Sequence, residues 1–482
     1  MPVQELVKAL PWLVVLLLAG DRSGQGPEYG LAGLVISLAL GLARWYTTGY
    51  VITKEQVRIR RGVLRRQLLT VPRDRLRTVD LTAHVLHRAL GLARITLGTG
   101  RSDRQKDRGL ILDGLSQEDA TRIRRELLHR IAETVPGEGA AAAPAFEELA
   151  RWRPGWILYG PFTFSGAVAA LAVVGLGADL VNEAHVNVGR VALVQRALGA
   201  AGHSPQVAIL VLVLALLLLI ALGSTLGYLL SFFEFRLVRQ EGTLQIARGL
   251  LTHRMITLDL ARLRGLELSQ PLLLRAVGGA RCIAIATGLR VGRGSARGGS
   301  LLLPPTSARL ARRVGEAVLL SPDPIVARLL EHGPTARRRR QTRVLIWTLP
   351  PFLALLGLAL KGTVPLWAPL AALAAVALGA VLAWDRYRSL GHQVVAGWLV
   401  TRYGTLVRRR CALRGEGIIG WNLHQSFFQR RARVVTLSAT TAAGRQAYRM
   451  QDLTPEEAVR VAETAHPGIL TLFLDCGRAG PT

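Results

Sequence analysis

Residues 206–260 read QVAILVLVLALLLLIALGSTLGYLLSFF and then EFRLVRQEGTLQIARGLLTHRMITLDL. The first part, Gln206–Phe233, exceeds the roughly 20 mostly apolar residues that a helix needs to cross a bilayer. The second part changes character at once, to short near-alternating runs studded with arginine around an Arg-Gly step. Such alternation predicts strands with one wet face. An apolar block followed by an arginine-rich strand pattern recurs along the chain, and this juxtaposition decides the fold.

Five further apolar blocks are present. Trp156–Val181 carries Trp156 and Tyr159 where an interfacial aromatic belt would sit. Val344–Leu360 and Thr363–Trp384 flank a Lys361-Gly362 tip and predict a tight helical hairpin, with Pro350-Pro351 expected to kink its first arm. Leu6–Ala19 and Tyr29–Tyr46 predict another hairpin. Leu6–Ala19 is short, and a cleaved signal peptide is its alternative reading. The expectation is six transmembrane helices in three hairpins. Among 482 residues, 50% are apolar and 19% charged, which excludes a disordered chain. Charged residues such as Asp179 lie toward the ends of the blocks, and the interiors hold no Asp, Glu, Lys, Arg or His, which disfavours a transporter.

The charge sets an orientation. Lys and Arg number 61 against 32 Asp and Glu, a net charge of +29. Arg44, Arg151, Arg153, Arg236, Arg239, Arg343, Arg386 and Arg388 all flank the blocks on one side, and cytoplasmic flanks carry such excess. Both termini and the large segments between hairpins are therefore expected in the cytoplasm. Three cysteines without close spacing, Cys282, Cys411 and Cys476, suggest neither a disulfide framework nor a zinc site.

The segments after the hairpins repeat. Arg61-Gly62 and Arg248-Gly249 are each followed by Leu two residues on, by a second Gly 29 residues on (Gly91, Gly278) and by Thr-Gly. A more divergent third copy has Gly404, Leu406 and Arg408, with Arg430-Arg431 in the region of the second glycine. Each copy ends in an amphipathic helix: one from Ser116, one within SARLARRVGEAVLL, one capped by Thr454 ahead of Pro455. Strands closed by one helix describe a small β-barrel or sandwich.

The order Trp45-Tyr46, Arg60, Gly62, Leu64, Arg66, Arg73, Arg75, Val79, Arg88, Gly91-Leu92, Thr99-Gly100 resembles the bacterial pleckstrin-homology family of membrane-flanked domains, of the YdbT-like three-domain type. The resemblance covers nearly the whole chain. It implies pleckstrin-homology (PH) folds on the cytoplasmic face of a bacterial inner membrane and no reaction. It also implies a smaller PH-domain membrane protein as partner, and envelope stress or defence as a setting. The expected class is an α + β membrane protein. Its expected parts are hairpins at 1–46, 155–233 and 343–384 and PH-like domains at 47–135, 234–320 and 385–468. A linker falls at 136–154, a basic linker at 321–342 and a tail at 469–482.

Chemistry is sparse. His84 and His87 lack a partnering carboxylate or cysteine, and Gly292–Gly299 lacks the Gly-Lys-Ser/Thr of a phosphate loop. No catalytic residue, cofactor or metal is expected, and the chain does not read as an enzyme. Three arginine clusters are the candidate contacts with anionic headgroups or a partner: Arg60, Arg61, Arg65, Arg66, Arg73 and Arg75; Arg337, Arg338, Arg339 and Arg340; and Arg408, Arg409 and Arg410. No helix-turn-helix or stacking-aromatic pattern accompanies them, so nucleic acid is not expected. A non-catalytic scaffold is the expected function, with lipid handling the alternative. On the orientation argument, all three cysteines should escape a membrane-impermeant thiol reagent applied to intact cells.

Overall fold

The computed structural model describes residues 49–53, 55–61, 67–72, 78–84, 91–98, 110–123, 146–163, 205–240, 242–288 and 300–468, with the single positions 35, 39, 43, 47 and 88. The first hairpin, most of Trp156–Val181, His87, Gly292–Gly299, Cys476 and Arg65, Arg66, Arg73 and Arg75 lie outside them. The chain divides into two compact bodies, and the division falls inside the second repeat. One holds the chain up to Phe146 with Arg239–Ala247 and Leu251–Leu260. The other holds Glu147–Val238, Arg248–Leu250 and Ala261–Thr482.

Repeat 1 supplies β1 (Gly49–Ile52), β2 (Gln56–Arg61), β3 (Gln67–Pro72), β4 (Thr78–His84), β5 (Leu92–Gly98) and β6 (Leu110–Ser116). The strands β1-β2-β3 form one antiparallel sheet, and β4-β5-β6 belong to another. Alternation works as a half-buried strand requires: Ala93, Ile95 and Leu97 of β5 are fully buried and meet Val57 and Ile59 of β2 in one core. Each such aliphatic side chain contributes about 1.5–3 kcal/mol by leaving water. Helical residues 117–123 close the core with Ala120 and Ile123. Ser116 Oγ caps them, accepting from the Asp119 N–H at 3.0 Å.

After β7 (Glu147–Arg151), repeat 2 contributes β8 (Arg236–Gln240), β9 (Thr243–Arg248), β10 (Thr252–Asp259), β11 (Leu263–Pro271), β12 (Gly279–Ala286) and β13 (Leu301–Ser307). Repeat 3 contributes β14 (Gly391–Val395), β15 (Trp398–Tyr403), β16 (Val407–Arg414), β17 (Gly420–His424), β18 (Val435–Thr440) and β19 (Ala447–Leu453). In the first body β10 adds to the outer edge of β4, with Arg254 opposite Thr82 and Met255 opposite Leu81. In the second body β16 adds to β11, with Arg409 opposite Ser269 and Arg410 opposite Leu268. Aligning the repeats without a gap from Gly62, Gly249 and Gly404 equates Arg254 with Arg409 and Thr82 with Ser269. The two junctions thus share one register.

The helices are α1 (Pro205–Phe232), α2 (Leu272–Ala276), α3 (Ala308–Leu319), α4 (Asp323–Val326), α5 (Gly333–Leu360), α6 (Trp367–Arg388), α7 (Phe427–Arg431) and α8 (Pro455–Ala465). Among the described residues, three are long and apolar enough to cross a membrane: Val213–Phe232 of α1, then α5 and α6, whose apolar 18-residue stretches have mean hydropathies of 2.4, 1.8 and 1.9. Little of their apolar surface is buried by protein, which for such a helix points to lipid as its surroundings. Tyr228 ties the end of α1 to repeat 2 by donating to the Pro305 carbonyl at 2.8 Å. α8 seals repeat 3 through Ala458, Val461 and Ala462. Its start is a capping box, Thr454 Oγ1 accepting from Glu457 N and Glu457 reaching back to Thr454 N.

Three local expectations change. The turn between α5 and α6 takes residues 361–366 rather than two. α5 also begins at Gly333, so Arg337–Arg340 lie on its opening turns instead of in a linker. The position equivalent to Gly91 (φ +65°) and Gly278 (φ +68°) is Arg433 at φ +52°, two residues beyond Arg430-Arg431. The same left-handed step is kept there without glycine.

Cys282 and Cys411 are fully buried, so they would escape a thiol reagent from either side. Their silence reports packing rather than orientation. Gly265 of β11 lies so close to β16 that an added Cβ would stand 2.0 Å from the Ala412 carbonyl oxygen. Gly265→Ala is therefore expected to destabilise the protein by about 3 kcal/mol, read as a lowered melting temperature in detergent. An unchanged melting temperature would mean that the β11–β16 junction is absent in solution.

Candidate functional site

The α6 helix ends in Trp384-Asp385-Arg386-Tyr387-Arg388, where an apolar helix meets polar surroundings. A groove of about 630 Å³ opens there, lined by Leu272 and Arg275 of α2, Glu331 and His332 ahead of α5, Trp384, Asp385 and Arg388 of α6, Arg402 of β15 and Arg408 of β16. Four arginines thus face two carboxylates. Asp385 accepts from Arg275 at 3.2 Å and from Arg408 at 2.9 Å. Arg402 donates to the Ser389 and Arg388 carbonyls at 3.2 and 3.0 Å, satisfying the end of α6. Arg388 stacks over Trp384, 4.7 Å from the ring centroid. Burial lowers the pKa of Arg408, and the like charge of Arg275 lowers it further, with Arg402 and Arg388 adding to the effect. The groove therefore holds positive charge in excess of its own carboxylates, which favours an anion with several acceptor oxygens.

The predicted arginines separate into two kinds. Arg60 is exposed on β2, Arg61 ends the same strand, and Arg337 and Arg338 are exposed on α5. Arg339 and Arg340 instead pair with Asp452 at the end of β19, and Arg340 also donates to Gln451 Oε1 at 3.2 Å. As headgroup contacts these two are corrected: buried or half-buried, they anchor α5 to repeat 3. Arg409 is a 3.2 Å ion pair with Glu267, whose side chain is 2% exposed and also meets Arg445 at 3.2 Å. Arg410 is spent on the Pro324 and Ala327 carbonyls, the latter at 2.7 Å. Arg408 alone of its cluster lines the groove. Arg275 and Arg402 escaped the sequence reading because neither sits in a basic run. A lone acid in the apolar strand LRGLELSQP, Glu267, was the available signal for a buried partner.

Among the described residues, no group of three His, Cys, Asp or Glu could hold a metal ion. What stands here is a set of repeated antiparallel β-sheet units with long apolar helices and a cationic groove at one helix end. A family model described as bacterial PH domain matches the chain three times, at residues 6–131, 190–313 and 345–467. The chain belongs to the bacterial PH domain family, and the match indicates no enzyme. No curated protein and no solved structure shows significant similarity to it.

His332 and His392 form a buried pair behind the groove, His392 Nδ1 lying 3.1 Å from His332 Nε2 and His332 Nδ1 lying 2.7 Å from the Gln451 carbonyl. The carbonyl requires an N–H at His332 Nδ1. With both rings neutral, as burial favours, His332 Nε2 accepts from His392 Nδ1–H. Burial, and then the neighbouring His392, hold His332 at about 4, below its ordinary 6.5, and His392 is lowered by burial as well. The depressed folded value means that stability is complete above pH 6.5 and drains away as the pH falls toward 4. The loss attributable to His332 is about 3 kcal/mol. The melting temperature should fall across that window, and His332→Gln should flatten the fall. A slope unaffected by the substitution would show that the pair is not buried and neutral.

Proposed function

We propose that this protein is a non-catalytic membrane scaffold, with six helices in three hairpins and its PH-like domains and both termini in the cytoplasm of a bacterial cell. Its domains bind a protein partner, a smaller PH-domain membrane protein, and anionic lipid headgroups orient them. Envelope stress or defence is the proposed setting. The observation that carries the lipid part is the groove of Arg275, Arg388, Arg402 and Arg408 beside Trp384 and Tyr387 at the end of an apolar helix. Arginine forks match phosphate oxygens, and aromatic residues favour the headgroup level. Lipid handling remains the second reading, favoured by the same groove, since its volume admits part of a headgroup.

Purification in native nanodiscs, with mass spectrometry of the co-purifying proteins and lipids, tests this. A stoichiometric membrane-protein partner together with enriched anionic lipid is expected. Enrichment of one lipid without any protein would favour lipid handling and sink the scaffold. Arg388→Gln should reduce the anionic enrichment about five-fold, the equivalent of roughly 1 kcal/mol for one arginine at the surface. The orientation has its own check. Lys361→Cys at the exposed tip should be labelled by an impermeant thiol reagent in intact cells, whereas Glu456→Cys on exposed α8 should be labelled only after lysis. The reverse pattern would invert the topology.

A further inference from the structure

Each junction between repeats joins the third strand of one repeat to the fourth strand of the repeat before it. The rule consumes β10 on β4 and β16 on β11. Two strands of the same kinds are left over. β3 is the third strand of repeat 1, and among the described residues it pairs only with β2; β17 is the fourth strand of repeat 3 and pairs only with β18.

The side chains at these two edges differ from their equivalents in a matched way. Leu81 and Leu268, which face the added strand at the two junctions, are each 7% exposed, while the equivalent Leu423 of β17 is 54% exposed. On β3, Leu68 is 68% exposed. The junction ion pairs change too. Arg254 meets Asp80 at 3.1 Å and Arg409 meets Glu267 at 3.2 Å, two equivalent diagonal pairs. At the open edges the arginine position is Gln67 and the acid position is Asn422. Both charges are replaced by amides, which can hydrogen-bond to one another. One charge kept alone would be desolvated without a partner in such a junction.

We infer that β17 of one copy of this chain accepts β3 of a second copy, in the register of the internal junctions, with Leu68 opposite Leu423 and Gln67 diagonal to Asn422. The contact is β-strand addition, in which main-chain hydrogen bonds supply affinity and alternate side chains supply specificity. Its two faces differ, so the association is head-to-tail and either closes into a ring or extends as a row. The inference deepens the scaffold reading and rests on it, naming a second copy as one occupant of the assembly.

The test uses the full chain in isolated membranes, in a Cys476→Ser background with Cys282 and Cys411 buried. Two differently tagged copies are co-expressed, one with Leu68→Cys and the other with Leu423→Cys, and treated with a short bismaleimide. A band at twice the chain mass carrying both tags is expected, because directly opposed side chains stand only about 5 Å apart. It should vanish when Asn422→Cys replaces Leu423→Cys, since a one-residue step points to the other face. With Gln67→Arg added to the first copy, the band should persist against Asn422→Glu on the second and be lost against Asn422→Arg. A folded, monodisperse protein that yields no doubly tagged band overturns the inference. So does a band in which Leu423→Cys captures a different protein. If anionic lipid and a stoichiometric partner still co-purify in that case, the scaffold reading survives and only the copy-to-copy contact is lost.

Discussion

The constraint on which the rest depends is that no repeat completes its own sheet. Strand β4 ends repeat 1's second sheet with an open edge until β10 covers it, and β11 stands in the same relation to β16. An uncovered edge is a row of unpaired donors and acceptors, so covering it ties each repeat to the next through backbone bonds. Register matters here because a slip of one residue would turn Leu81 and Leu268 away from their buried positions. The diagonal ion pairs Arg254–Asp80 and Arg409–Glu267 act on that choice. Burying Glu267 between Arg409 and Arg445 costs desolvation, and its return is specificity more than net stability.

The arginine richness of the chain serves two physically distinct tasks. One set is neutralised inside the protein by acids distant in sequence: Arg339 and Arg340 by Asp452, and Arg409 and Arg445 by Glu267. The other set keeps its charge facing outward or into the groove, as with Arg60, Arg337, Arg338 and Arg388. Only the second set can contribute to attraction toward an anionic surface. The net charge of +29 therefore overstates the field available for headgroups, and the geometry of a few side chains decides where that field is concentrated.

The architecture was largely legible in the sequence. Gln206–Phe233, Val344–Leu360 and Thr363–Trp384 declared helices long and apolar enough to cross a membrane, and Thr454-Pro455 with Glu457 declared a helix start because capping is a local matter. The repeated glycine marks located turns, since Gly249 and Gly404 both adopt φ near +105°, a conformation few other residues accept. The exchange of strands between repeats was not legible. A strand's pattern records which face is wet, not which chain segment lies at its edge. For the same reason the cluster Arg408-Arg409-Arg410 read as one surface, although its members serve Asp385, Glu267 and the carbonyls of α4 and its flank.

Strand exchange also carries a consequence for synthesis. Asp80 and Arg254 are 174 residues apart, and α1 lies between them. At about 5–20 residues per second, β4 emerges roughly 9–35 s before β10 exists to cover it. During that interval the growing chain presents an open strand edge while the apolar helix α1 is still being made. Its protection in that period depends on the translating machinery and nearby chaperones rather than on the final structure. Slower elongation between Asp80 and Arg254 would lengthen this exposure, so for this chain the pace of translation bears directly on the yield of folded molecules.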